Sequence, residues 1–368
     1  MTIEHVLVTV PPGVERAGDA EAALDAAAAA YGRPLGVDGP ARLRERMQLL
    51  GIAPAGPVSA GGTCRLLPAG DGRFVACNLS RRDDVELLAA WMGHEWDGPV
   101  WDAVAGALLG MEAGAAVERA QLLGIPAAVA IAPGEYEGAP GVTVTPAAGA
   151  RGRAPRRCVV DLSSLWAGPL CARLAGDALD LPVLKVESVH RPDGARRGLP
   201  EFWRRLNAGK EDVALDFRAP AGRRRLRELL DSAAVVVSAS RPRAFEQLGV
   251  DPAREAAAGA IWVSITGYGF EGRLRERVAF GDDAAVAGGV AVAAGGPRHP
   301  VFVLDAVADP LSGLAGARAA VDAVRTAGRS GAFVDVCMAG VVNAAVAGAG
   351  EGAHYAAGPR MPGARGVT

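Results

Sequence analysis

Between residues 157 and 337 the chain alternates short valine-rich runs with helix-length segments, and this alternation limits the fold more than any other feature. RCVVDL (157–162), PVLKVE (182–187), EDVALDF (211–217), AAVVVSA (233–239), AIWVSIT (260–266) and AFVDVC (332–337) read as strands. Helical segments are expected near 168–178, 219–230 and from Asp309–Pro310 to about Arg325. Strands apolar on both faces and separated by helices imply a parallel sheet covered on both sides. The expected class is therefore α/β, a Rossmann-like parallel sheet with ligands at the carboxyl ends of its strands, plus a smaller α+β domain.

The smaller domain is expected upstream. Helices are predicted at 20–31, 40–50, 84–92 and 101–123, with a strand at 73–79. GAPGVTVTPAAGARGRAP (138–155) loses apolar periodicity and gathers glycine, proline and arginine, which marks a linker. The division expected is a small α+β domain over 1–140, a Rossmann-like domain over 156–345 and a flexible tail over 346–368.

Half of the 368 residues are hydrophobic, enough for a folded core in each part. A formal net charge of -2 argues against a nucleic-acid partner held by bulk electrostatics, and Arg223-Arg224-Arg225 reads as a solvated helix face. Cys64, Cys77, Cys158, Cys171 and Cys337 are odd in number, scattered and never spaced CxxC, so neither disulfide framework nor zinc site is indicated and a reducing cytoplasm fits. No segment approaches the roughly 18 apolar residues of a membrane span, and a soluble, unprocessed protein is expected.

The motifs leave carboxylate chemistry. GYGFEG (267–272) has the spacing GxGxxG but runs into RLRERVAFGDD, which has no apolar helical face to aim at a pyrophosphate, so it reads as a loop. A P-loop is absent. His5, His94, His190, His299 and His354 show neither HxxxH nor HExxH spacing, and none accompanies a GxSxG turn. Asp161 and Asp216 end strands, and Asp282 and Asp283 are placed to cap a helix. In VFVLDAVADPLSG (301–313), Asp309 followed by Pro310 is the usual start of a helix. The helix dipole would hold that carboxylate ionised with a lowered pKa, available as a nucleophile. Position alone favours the structural cap over the nucleophile.

DLSSLWAGPLCARLAGDALDLPVLKVE (161–187) is similar to the opening βαβ signature of the class III CoA-transferases, the family of formyl-CoA and carnitine CoA-transferases. The blocks 206–230, 233–252, 261–272, 280–289, 305–325 and 331–338 follow in the family's order. Residues 56–93 and 101–130 resemble the family's small second domain, here placed before the Rossmann-like half instead of after it.

The resemblance implies a transferase that moves CoA from an acyl-CoA thioester to a free carboxylic acid, with no permanently bound cofactor, in a cytoplasmic homodimer that interlocks in ordinary members. Asp309-Pro310-Leu311-Ser312-Gly313 falls on the family's D-x-x-[ST]-G element and makes Asp309 the implied nucleophile. Gly61 and Gly62 are the implied oxyanion donors. The implied CoA contacts are Arg191, Arg196 and Lys210 at the phosphates, and Ala239, Ser240, Arg241 and Arg243 at the adenine, together with Ala167 and Trp166, the latter facing the acyl group. Where formyl-CoA transferase has glutamine this chain has Trp166, which implies a larger or less polar acyl group than oxalate.

Departures from the family keep other readings open. Ala239-Ser240 replaces a frequent Asn-Phe, and Gln247 an arginine. The racemase branch uses a histidine where Phe280 stands, which disfavours racemization unless Asp282 or Asp283 substitutes. A CoA-binding protein without turnover is the third reading. Asp305 is read as a loop or strand-end acid.

Overall fold

The computed structural model describes residues 12–147, 157–327, 330–348 and 355–357. Its strands are β1 (Cys64–Pro68), β2 (Phe74–Asn78), β3 (Ala127–Val129), β4 (Val142–Pro146), β5 (Cys158–Asp161), β6 (Val183–Ser188), β7 (Glu211–Leu215), β8 (Ala233–Ser238), β9 (Ile261–Thr266), β10 (Ala332–Cys337) and β11 (Tyr355–Ala357). The large sheet has the order β11-β4-β10-β9-β8-β5-β6-β7, parallel from β10 to β7, as the valine-rich runs imply. β4 joins β10 antiparallel with Val144 opposite Val334, and β11 lies parallel to β4.

Alternate side chains serve opposite faces. Val159, Val235, Ile261 and Val263 belong to one buried cluster, while Val160, Val236 and Trp262 belong to another on the far side. The first face is covered by the helices Ala167–Leu179 and Ala308–Ala327, the second by Pro220–Ser232 through Leu226, Leu229 and Leu230. The strands run outward from β5 to β6 and β7, then return to β8, β9 and β10 on the other side. The β5/β8 junction is thus the switch point at which such sheets open a crevice.

Small residues set the helix packing on the first face. A Cβ on Gly313 would lie 2.8 Å from the Ala167 carbonyl oxygen, and one on Gly316 3.2 Å from Cys171 Sγ. Further along, Arg325 donates to the Ala178 carbonyl. The two helices therefore run side by side in the same direction, with both N-termini at the carboxyl edge of the sheet.

Two expectations about organisation change. The segment 138–155 contains β4, whose Val142 is fully buried, so the large sheet recruits part of the expected linker; residues 148–156 lie outside the described residues. The helices Pro12–Gly32 and Gly39–Leu50 pack against the helical layer on the first face of the large sheet, with Leu24, Ala28, Tyr31 and Leu43 in the core cluster of that face. The small unit is narrower, an antiparallel β1-β2-β3 sheet with helices over 82–123 and a core that includes Trp91, Val104, Leu108 and Ile125. The helix expected over 101–123 breaks at Gly110, where the Gly70 amide donates to the Leu108 and Met111 carbonyls. Most of the expected tail also lies outside the described residues; Tyr355–Ala357 form β11.

The glycine-rich stretch before Asp309 forms two helices, Gly281–Ala287 and Val290–Gly295. They pack through Val286, Ala291 and Val292 against Cys64, Leu66 and Ala76 of the small sheet. This contact brings both units to the loop that carries Asp305 and Asp309.

Candidate active site

Asp309 lies in the first turn of the Ala308–Ala327 helix, and its own amide donates to the Ala306 carbonyl. The helix begins one residue before it, so Asp309 is not the cap that the Asp-Pro pair suggested. The carboxylate is half-buried and accepts from the Gly281 amide of the neighbouring helix. Gly281 is the only residue type that fits there, since a Cβ would lie 2.3 Å from Asp309 Oδ2 and 2.4 Å from the Ala306 oxygen. The approach loop is strained, with Leu304 at φ 59° and Ala306 at φ 43°.

Four carboxylates collect here. Asp282 accepts from the Ala306 amide at 3.1 Å and from the Ser59 hydroxyl. Asp283 accepts from Asn78 Nδ2 at 2.9 Å and from the Phe280 amide at 3.0 Å, leaving its Oδ2 buried without a hydrogen-bond partner among the described residues. Asp305 is fully buried and bonded by both Nε and Nη2 of Arg46, each at 2.5 Å. Arg46 comes from the Gly39–Leu50 helix, and its guanidinium lies 4.7 Å above the Trp166 ring.

Burial pushes the Asp309 carboxyl up to about 7; Arg46 and the Gly281 amide pull it down, while Asp282 and Asp305 push it further up. The lowered pKa expected from the helix terminus is thus reversed, because desolvation and like charge outweigh the dipole. Burial likewise raises Asp282 to about 6, helped by Asp305 and opposed by Arg46, and raises Asp283 to about 7. The group can therefore hold or release a proton near neutral pH.

Gly61 and Gly62 form an exposed turn with open space around each Cα; Gly62 adopts φ +74° and its amide donates to the Ser59 carbonyl at 2.8 Å, so of the two implied oxyanion donors it is the one already engaged. The turn is tethered to the acids through Ser59, which accepts from the Cys64 amide and donates to Asp282. Exposed Ala239 and half-buried Ser240 follow β8, and Ala167 follows β5, so these predicted contacts meet at the switch point. Arg241 and Arg243 are exposed at the start of the next helix; Arg241 donates to the Glu276 carbonyl.

Three predicted contacts are otherwise engaged. Trp166 is 2% exposed, packed edge-on against Phe202 at 5.0 Å beneath Arg46, so it is a core side chain and not a pocket wall. Lys210 is buried, with its ammonium donating to Asp161, the Pro169 carbonyl and Asn207, each at 2.8 Å. Arg196 pairs with Glu187 and Asp212 and stacks on Trp203 at 3.8 Å. Arg191 is exposed and makes no ion pair among the described residues.

Lys210 belongs to an inner network beneath the crevice. Fully buried Lys185 donates to the Ser163 carbonyl and lies 3.6–3.9 Å from Asp161, Glu187 and Asp193. Asp193 in turn accepts from the Leu165 amide, fixing that residue at φ 69°. These lysines set the shape of the Asp161–Ala167 loop from below. Arg46, Ser59, Asn78 and Gly281 were not singled out from the sequence, since nothing in their spacing ties them to Asp309.

Residues 157–367 match CoA-transferase family III, more than half of the chain. Succinyl-CoA--D-citramalate CoA-transferase of Chloroflexus aurantiacus is 28% identical over 183 residues, 47% of this chain and 45% of that protein. The beta subunit of succinyl-CoA--L-malate CoA-transferase from the same organism is 32% identical over 209 residues, 53% of this chain and 50% of that one. A crystallised hypothetical protein of Mycobacterium tuberculosis is 27% identical with a TM-score of 0.46, covering 54% of this chain and 58% of its own. The chain spans about half the length of the curated relatives it matches. With its ordered blocks, parallel sheet and matched region together, this chain belongs to CoA-transferase family III.

Proposed function

We propose that this chain transfers CoA from an acyl-CoA thioester to a free carboxylic acid, with Asp309 as nucleophile. The observation that carries this reading is the half-buried Asp309 carboxylate beside the Gly281 amide, at the carboxyl edge of a sheet whose switch point is bordered by Ala167 and Ser240. The carboxylate oxygen attacks the thioester carbonyl, giving a mixed anhydride and expelling CoA thiolate. The thiolate then attacks the Asp309 carbonyl, forming an aspartyl-CoA thioester and releasing the first acid. The acceptor carboxylate repeats the sequence in reverse, leaving the new thioester and free Asp309.

Supporting groups follow from position. Gly61 lies in the turn tethered to Asp282 and would donate its amide to the oxyanion, whereas the Gly62 amide is held by the Ser59 carbonyl. Arg191, Arg241 and Arg243 are exposed cations that would suit the CoA phosphates. A homodimer in the cytoplasm is part of this reading.

The test is incubation with succinyl-CoA and other acyl-CoA esters in the presence of hydroxylamine, followed by mass spectrometry. A hydroxamate at Asp309, lost in Asp309→Asn together with turnover, is expected. Wild-type turnover in Asp309→Asn would refute the assignment.

A second reading is favoured by one observation, that Asp282 and Asp309 both titrate near neutral pH beside each other. Two such acids suit proton transfer at the carbon next to a thioester. Exchange of that proton in D₂O without acyl transfer would select this reading over the first.

A further inference from the structure

The family match begins at residue 157, yet the acids around Asp309 are engaged by residues well before it. Arg46 is the cation among them. Its fork grips both oxygens of Asp305, a carboxylate with no exposure of its own, while its own side chain is 17% exposed. Asp305 stands between Leu304 and Ala306, both held in left-handed backbone conformation at φ 59° and 43°. Ala306 also carries the amide bound by Asp282 and the carbonyl that accepts from Asp309's amide. One guanidinium therefore clamps the turn on which the nucleophile's position depends.

We infer that Arg46, supplied by the N-terminal helix pair, is a positioning residue that clamps the Asp305–Ala306 turn and furnishes the positive charge balancing Asp305, Asp282 and Asp309. The inference rests on Asp309 being the reacting group. The groups facing Asp309 are few. Its own loop contributes Asp305, the Gly281–Ala287 helix contributes Asp282 and the Gly281 amide, and the Gly39–Leu50 helix contributes Arg46. Asp283 turns away toward Asn78, and the first turns of the Ala167–Leu179 helix, AGPLCA, carry no charge. Removing Arg46 leaves carboxylates facing one another in a poorly solvated space, which favours the protonated, non-nucleophilic form of Asp309. The guanidinium sits 4.7 Å over the Trp166 ring and meets Asp305 with two nitrogens, so a lysine would keep the charge but lose the fork.

The test uses the whole chain with ¹³C-labelled aspartate carboxyls, the Asp309 resonance being assigned by its loss in Asp309→Asn. Arg46→Gln is expected to raise the Asp309 titration midpoint by about one pH unit or more, and Asp305→Asn to lower it. The double variant should return close to the wild-type midpoint, and Arg46→Lys should fall between wild type and Arg46→Gln. A general loss of structure would not move two single variants in opposite directions. An unchanged midpoint in Arg46→Gln, or shifts of the same sign in both singles, overturns the inference. Should circular dichroism show Arg46→Gln unfolded, the decision passes to Arg46→Lys, where an unchanged midpoint overturns it. The titration is read without turnover, so active Asp309→Asn would sink the nucleophile assignment and leave the Arg46 result standing on its own.

Discussion

Gly281 and Asp309 are in contact through the one face of Gly281 that a side chain would occupy, with the ideal Cβ position 2.3 Å from Oδ2. The same residue donates its amide to that carboxylate. Gly281→Ala must therefore displace the Asp309 carboxylate, the proposed nucleophile, the Ala306 carbonyl, or both. A displacement of about 1 Å can cost on the order of a hundredfold in rate, so kcat for CoA transfer should fall at least that far while circular dichroism stays native. Undiminished kcat would show that the contact does not govern the reaction.

The pH dependence follows from the direction of the Asp309 shift. An acid whose carboxyl is raised to about 7 is mostly protonated at pH 6, so kcat/KM should climb as pH rises through neutrality. Asp282 pushes Asp309 upward, and Asp282→Asn should move this acid limb to lower pH. A limb that stays in place, or one lying near pH 4 in the wild type, would contradict the electrostatic picture of the site.

Asp283 offers the matching stability experiment. Its pKa rises on folding from an ordinary carboxylate value to about 7, so the unfolded chain binds fewer protons between these values and stability falls as pH rises through that window. Asparagine preserves the oxygen that accepts from Asn78 and the Phe280 amide while removing the buried charge. Asp283→Asn should gain on wild type by on the order of 2–4 kcal/mol between pH 5 and pH 8 in urea denaturation. A gap that is constant with pH would exclude charge as its cause.

Lys210 separates two roles. Burial pulls its ammonium down in pKa against the upward pull of Asp161, and all three of its hydrogen bonds are internal. Lys210→Met should leave Asp161 partly uncompensated and cost roughly 3–5 kcal/mol of stability. If the variant keeps wild-type stability and instead raises KM for CoA, a phosphate-binding role is restored.

Much of the fold was legible because its cause is local. The six runs became β5 to β10 within a residue or two; β5, β8 and β9 are almost wholly buried and predominantly apolar, as strands covered on both faces must be. β4 was not legible. VTVTP sits among glycines and prolines, and only the edge offered by β10 makes it a strand. The helices at 20–31 and 40–50 are legible in the sequence but are assigned there to the small domain, because an apolar stripe does not say which core receives it.

The site divides along the same line. Asp309 could be found from five consecutive residues, whereas its protonation could not, because the dipole visible in the sequence is outweighed by burial and by Asp282 and Asp305. Trp166 and Lys210 looked like ligand contacts until packing placed them inside. Arg46 reaches Asp305 across 259 positions. The sequence by itself determined most of the elements, their order and the candidate acid Asp309, all of which depend on neighbours along the chain. Tertiary structure decided which charges face that acid, because Coulomb and desolvation energies depend on distance and burial, and spacing along the chain specifies neither.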